Sequence, residues 1–119
     1  MSIYILSSPT NMCRLKLGFH SATKKSLKTR YRTSLPDHVL EYFVTHRCAK
    51  EIEGMVHDSL RSSNVKCIKV TETDNNSEWY EMRLRTMITL VETCIESIDM
   101  MYTKMNRILE LSEGAIVLT

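Results

Sequence analysis

Four side chains in the first half of the chain could together act on a phosphodiester. They are the phenol of Tyr4, the amine of Lys16, the guanidinium of Arg30 and the carboxylate of Glu53, with the imidazole of His57 one helical turn beyond Glu53. Cleaving such a bond needs a cation to neutralise the developing phosphorane charge, a carboxylate to hold a divalent metal and a base to activate water. Arginine suits the first task because its planar guanidinium pairs bidentately with phosphate. Glutamate suits hard Mg²⁺, which keeps most of its waters and takes one or two protein carboxylates. Tyrosine, histidine or lysine can move the proton. Each residue also has a plainer reading. Tyr4 is a strand core residue, Arg30 a solvated cation, and Glu53 a surface partner of Lys50 or His57 worth roughly 0.2–0.5 kcal/mol.

The elements that must position these groups follow from the pattern. Ser2 to Leu6 is rich in Ile and Tyr and reads as a buried strand. Pro9 and Asn11 supply turn chemistry. From Cys13 to Phe19 the chain alternates, with Cys13, Leu15, Leu17 and Phe19 on one face, so this run is a half-buried hairpin partner of the first strand. Gly18 lets backbone or ligand approach closely. Ser21 or Thr23 caps a helix over about 24–33, in which Leu27 and Tyr31 pack inward, and Pro36 marks its end. Val39 to Val44 is almost wholly apolar, as a central strand would be. Thr45 then caps a helix over about 46–62, with Ala49, Ile52, Val56 and Leu60 as its core stripe and Glu53 and His57 at the edge of that stripe. Gly54 is a poor helix-interior residue, and close packing against the sheet would account for it. Val65 to Val70 reads as a short edge strand and Thr71 to Ser77 as an exposed loop.

From Glu78 to about Ser112 there is no Gly or Pro. Leu84, Met87, Val91, Cys94, Ile98, Met101, Met105 and Ile108 recur at spacings of three and four, a heptad seam widened by Ile88, Ile95, Tyr102 and Leu109. A helix of about 50 Å cannot lay its whole face on a small core, so part of the seam is expected to meet another chain. The alternative is a hairpin or two shorter helices that fold back on the core. Gly114 can end the helix.

At 119 residues the chain suits one domain, or one small domain with an extension. No run is apolar enough to span a membrane, no signal-peptide pattern is present, and four dispersed cysteines suit reduced thiols, which together point to an intracellular, non-secreted protein. A zinc site from Cys13, Cys48, His20 and His46 has no supporting spacing. Charge is uneven. Residues 1–70 carry 12 Lys/Arg against 5 Asp/Glu, a net +7, and residues 71–119 carry 4 against 9, a net −5. A basic front half fits a polyanion partner.

Five motifs in order resemble the GIY-YIG nuclease superfamily, in the branch common in phages and large DNA viruses. They are Ile3-Tyr4-Ile5-Leu6, Lys16-Leu17-Gly18, Arg30-Tyr31, the Ala49 to Leu60 helix with Glu53 and His57, and Glu78-Trp79-Tyr80. The resemblance covers about residues 2–82 and implies an α/β (α+β) fold, a small three-stranded antiparallel sheet flanked by helices. It implies a nuclease domain over 1–80, leaving 81–119 as a helical segment for oligomerisation. It also implies a Mg²⁺ (or Mn²⁺) dependent DNA endonuclease in which Arg30 binds the scissile phosphate, Glu53 holds the metal and Tyr4 contacts the nucleophilic water or phosphate. Lys16 stands where the family usually has the tyrosine of its second motif, so Lys16, His20 and His57 all remain candidates for proton transfer. DNA contacts are expected from Lys24, Lys25, Lys28, Arg32 and His20, and pairing of two copies from residues 84–109. Two rival readings are a nuclease-like module that binds nucleic acid without cutting it and a coiled-coil adaptor for protein partners.

Overall fold

A computed structural model describes the backbone of residues 1–34, 37–68 and 78–118, and their side chains except those of 33–34 and 113–118. Two antiparallel strands, β1 (Ser2–Ser7) and β2 (Arg14–His20), form the expected hairpin, with Tyr4 opposite Gly18 and Leu6 opposite Lys16. Helix α1 (Lys24–Ser34) follows, and Thr23 caps it by accepting the Ser26 N–H at 3.2 Å. Strand β3 (Val39–Thr45) pairs with β1, and helix α2 (Ala49–Arg61) comes next. Thr45 does not cap α2. It ends β3, and the His46 ring instead accepts the Cys48 N–H at 2.9 Å. Pro36 and the 71–77 stretch lie outside the described residues.

The sheet has five strands rather than three. β4 (Lys66–Ile68) and β5 (Trp79–Glu81) add to β2 in the order β3-β1-β2-β5-β4, antiparallel throughout. Two expectations change with this. Val39 to Val44 lies at an edge and not in the centre, since its outer side has no strand beside it among the described residues. Trp79 to Glu81 is strand and not the start of the long helix, because the fully buried Tyr80 lies opposite Leu15 and closes the core there. A bulge at Glu41 shifts the β1–β3 register between Ile5 and Leu6, and Ser7 Oγ donates to the Glu41 carboxylate at 2.8 Å.

Alternation along β1 and β2 sends side chains to two different layers. Ile3, Ile5, Leu15 and Leu17 face α2 and helix α3 (Leu84–Leu118), where Ala49, Ile52, Val56, Leu60, Tyr80, Met87, Val91, Cys94 and Ile98 complete the main core. Tyr4 and Leu6 face the other way, under Leu27 and Tyr31 of α1. The first half of the α3 seam therefore belongs to this chain's own core. Exposure begins with Met101 at 51% and continues through Met105, Ile108, Leu109 and Leu111. The helix runs past Gly114 to Leu118. Gly54 does not pack against the sheet, because a side chain there would meet open space. About midway along its length α3 is pinned to the turn just ahead of α2, with His46 Nε2 2.8 Å from Asp99 Oδ1 and the Arg47 guanidinium 4.9 Å from the centre of the Tyr102 ring.

Candidate functional site

Strand β5 covers only Arg14 to Lys16 of β2. The Leu17 N–H then donates to the Glu78 carbonyl at 3.0 Å, and Gly18 to His20 have no strand on that side among the described residues. This step leaves a notch in the sheet through which side chains of the two faces can meet.

On the α1 face, the Tyr4 and Tyr31 hydroxyls are hydrogen-bonded and Lys16 Nζ donates to the Tyr31 hydroxyl at 3.0 Å. Lys16 Nζ lies 5.1 Å from the centre of the Tyr31 ring and the Arg30 guanidinium lies 5.6 Å from it. Gly18 makes this packing possible, since a Cβ there would clash with the hydroxyl end of the Tyr4 side chain. Burial, and then the hydrogen bond with Tyr31, push the Tyr4 phenol well above its ordinary range.

On the α2 face, Glu53 Oε1 lies 3.9 Å from His57 Nε2. His57 Nδ1 is 2.5 Å from the Tyr80 hydroxyl, which fixes the ring orientation. Glu78 joins the two faces. Its Oε2 is 3.6 Å from Lys16 Nζ, and Glu53, His57 and Glu78 each bring a ligand atom within 4.8 Å of the others. Burial first, and then the Glu78 charge, raise the Glu53 carboxyl to about 7, with Arg61, Lys16 and Lys50 opposing. Burial, with Arg61 adding to it, lowers His57 to about 4. Burial alone is the leading cause that takes Tyr80 to about 12.

The sequence-predicted residues thus divide. Tyr4, Lys16 and Arg30 gather around Tyr31, and Lys16 reaches through Glu78 toward Glu53. Lys24, Lys25, Lys28 and Arg32 are exposed on α1 and line one shallow groove with Thr29. His20 stands apart. It is 8% exposed and four residues along β2 from Lys16, roughly 13 Å at strand spacing, so it fits neither an open contact surface nor the Lys16 cluster. Two residues gain a role that their sequence context did not announce. Tyr31 is the hub of the α1 side, and Glu78 is the second carboxylate beside Glu53. The Glu-Trp-Tyr motif drew attention to Glu78 only as the end of the domain.

A divalent cation fits this set. Glu53 Oε2 and His57 Nε2 are buried without hydrogen-bond partners, and a second carboxylate crowds the first. Buried like charges are costly unless a cation offsets them. On the α1 side lie the Arg30 guanidinium and the Lys16–Tyr31–Tyr4 hydrogen-bonded chain.

The T5orf172 domain model matches residues 1–99. Two uncharacterized proteins of Acanthamoeba polyphaga mimivirus are each 32% identical to this chain over 82 residues, covering 69% of this chain and 21% of theirs. The chain therefore spans about a fifth of the length of the curated relatives it matches. No solved structure matches it. Among the described residues, no helix is long and apolar enough to cross a membrane.

Proposed function

The chain belongs to the T5orf172 domain family, and from that premise and the geometry of the notch we propose that it is a metal-dependent DNA endonuclease of the GIY-YIG type. T5orf172 is a phage and viral domain associated with GIY-YIG-related nuclease folds. The observation that carries the reading is the way Glu78 links the Arg30, Tyr31, Tyr4 and Lys16 cluster to Glu53.

In this reading the exposed lysines and Arg32 of α1 seat the DNA backbone, and Arg30, braced on the Tyr31 ring, grips the scissile phosphate. Glu53 would hold Mg²⁺ or Mn²⁺, which when bound supplies Lewis-acid stabilisation of phosphate charge. Lys16 Nζ donates to the Tyr31 oxygen, and the Tyr31 and Tyr4 hydroxyls are hydrogen-bonded, so the Lys16 ammonium can pass a proton to Tyr31 as Tyr31 passes its own to the Tyr4 oxygen and Tyr4 releases one toward the leaving oxygen. The exposed distal seam of α3, Met101 to Leu111, is where a second copy would pair, bringing two sites onto one DNA.

A plasmid nicking assay with Mg²⁺ or Mn²⁺ tests this. Wild type should nick, and Glu53→Ala and Arg30→Ala should not. Equal activity in all three overturns it. Salt-dependent DNA binding without cleavage would leave a binding module, and no DNA affinity with a stable oligomer would leave an adaptor.

A further inference from the structure

We propose that the cation site of the notch has three protein donors, Glu53, Glu78 and His57 Nε2, and that it takes Mn²⁺ in preference to Mg²⁺. This rests on the metal-dependent reading above but adds two ligands and a selectivity to it. Three independent observations converge. The ligand atoms of the three residues lie within 4.8 Å of one another. His57 has a side chain only 6% exposed, and its Nε2, 3.9 Å from Glu53, has no hydrogen-bond partner. Its other ring nitrogen is held by Tyr80 at 2.5 Å.

The last contact sets the chemistry. With Nδ1–H donating to the Tyr80 oxygen, Nε2 keeps its lone pair free within reach of the two carboxylates, the arrangement by which a hydrogen bond behind an imidazole fixes its metal-binding tautomer. Metal–donor bonds of about 2.1 Å put adjacent donors about 3 Å apart and opposite ones about 4.2 Å apart. Side-chain rotation of Glu53 and the half-exposed Glu78 therefore suffices to close the set around an ion. Glu78 also gives the ion a way in, since its side chain is 41% exposed. Two carboxylates alone suit Mg²⁺ and Mn²⁺ alike. An imidazole shifts the balance toward first-row transition ions, because Mg²⁺ demands hard oxygen donors.

The test is a titration of the metal-free full chain without DNA. Free Mn²⁺ is read by its electron paramagnetic resonance signal, and Mg²⁺ is read by competition. Wild type should bind Mn²⁺ at least about 10-fold more tightly than Mg²⁺. His57→Gln should lose that preference and keep its Mg²⁺ affinity. Glu78→Gln should weaken both ions by about 10-fold. Tyr80→Phe, which keeps the core volume, should weaken Mn²⁺ by about 10-fold through loss of the ring's hydrogen bond. Circular dichroism reports folding, and if His57→Gln does not fold, Glu78→Gln and Tyr80→Phe decide. Equal wild-type affinities for the two ions, or wild-type Mn²⁺ affinity in the folded variants, overturns the proposal. A chain that nicks DNA through Glu53 while ignoring these variants would keep the nuclease reading and sink this one. The predicted binding pattern in a chain that cuts nothing would do the reverse.

Discussion

Lys16 Nζ stands 3.6 Å from Glu78 Oε2, and this pair connects opposite faces of the sheet. Lys16 belongs to the layer under α1, whereas Glu78 brings a carboxylate to Glu53 and His57 on the α2 side. The short reach of β5 along β2 makes the meeting possible.

Removing the Tyr31 hydroxyl cuts the α1 cluster at its hub. Tyr31→Phe should lower nicking by about 10²-fold or more, the usual scale for loss of a proton-transfer partner. Stability should fall by only about 1 kcal/mol, the net worth of an ordinary hydrogen bond. Single-turnover nicking and urea unfolding measure the two. Nicking unchanged in a folded variant would remove Tyr31 from the chemistry.

Glu53 and His57 give stability opposite dependences on pH in the metal-free protein. Glu53 holds its proton up to about 7 in the fold against an ordinary 4.5, so between those values the native state binds the proton more tightly and stability falls as pH rises. His57 drops from 6.5 to about 4, so over that window the unfolded chain binds more protons and stability rises with pH. The two slopes oppose each other between 4.5 and 6.5. Urea unfolding of Glu53→Gln across that range should show the rising slope, and His57→Gln the falling one. Identical slopes in both variants would contradict the assignment.

Gly18→Ala should cost about 1–3 kcal/mol, an overpacking penalty, because its methyl group would clash with the hydroxyl end of Tyr4. Nicking should fall too, as Tyr4 is displaced from Tyr31. A wild-type unfolding midpoint would show that the ring has room to move.

The two halves of the α3 seam should respond differently. Met87→Ala empties a fully buried site and should cost about 2–5 kcal/mol. Met105→Ala, at a position 50% exposed, should change monomer stability by less than about 0.5 kcal/mol and weaken self-association. Denaturation and sedimentation read these separately. Unchanged sedimentation, with wild type already monomeric, would rule out the distal seam as a pairing surface.

Much of the scaffold could be read from local pattern. Alternation declares β2, helical spacing declares α1 and α2, and apolar β-prone runs declare β1 and β3; Leu27 and Tyr31 do pack inward. Strand β4 falls within the Val65 to Val70 run read as an edge strand and does lie at an edge, whereas β5 is three residues that abut a helical pattern, which absorbed it. The position of β3 depends on pairing partners, which an apolar run cannot specify. Heptad spacing in α3 shows which side is apolar but not what covers it, and Ile98 and Met101 occupy one seam yet lie on opposite sides of the core's limit. Glu78 was legible as a motif residue only. Its proximity to Glu53, 25 positions earlier, comes from sheet register.

The bracing of Asp99 by His46 and of Tyr102 by Arg47 sets the direction in which α3 leaves the body. Beyond that clamp the helix behaves as a driveshaft. One residue inserted after Tyr102 would advance everything downstream by about 1.5 Å and turn it by about 100°. The face that carries Met105 and Ile108 is therefore set relative to the notch by residue count, and insertions of about seven or about eleven residues would bring it back into phase.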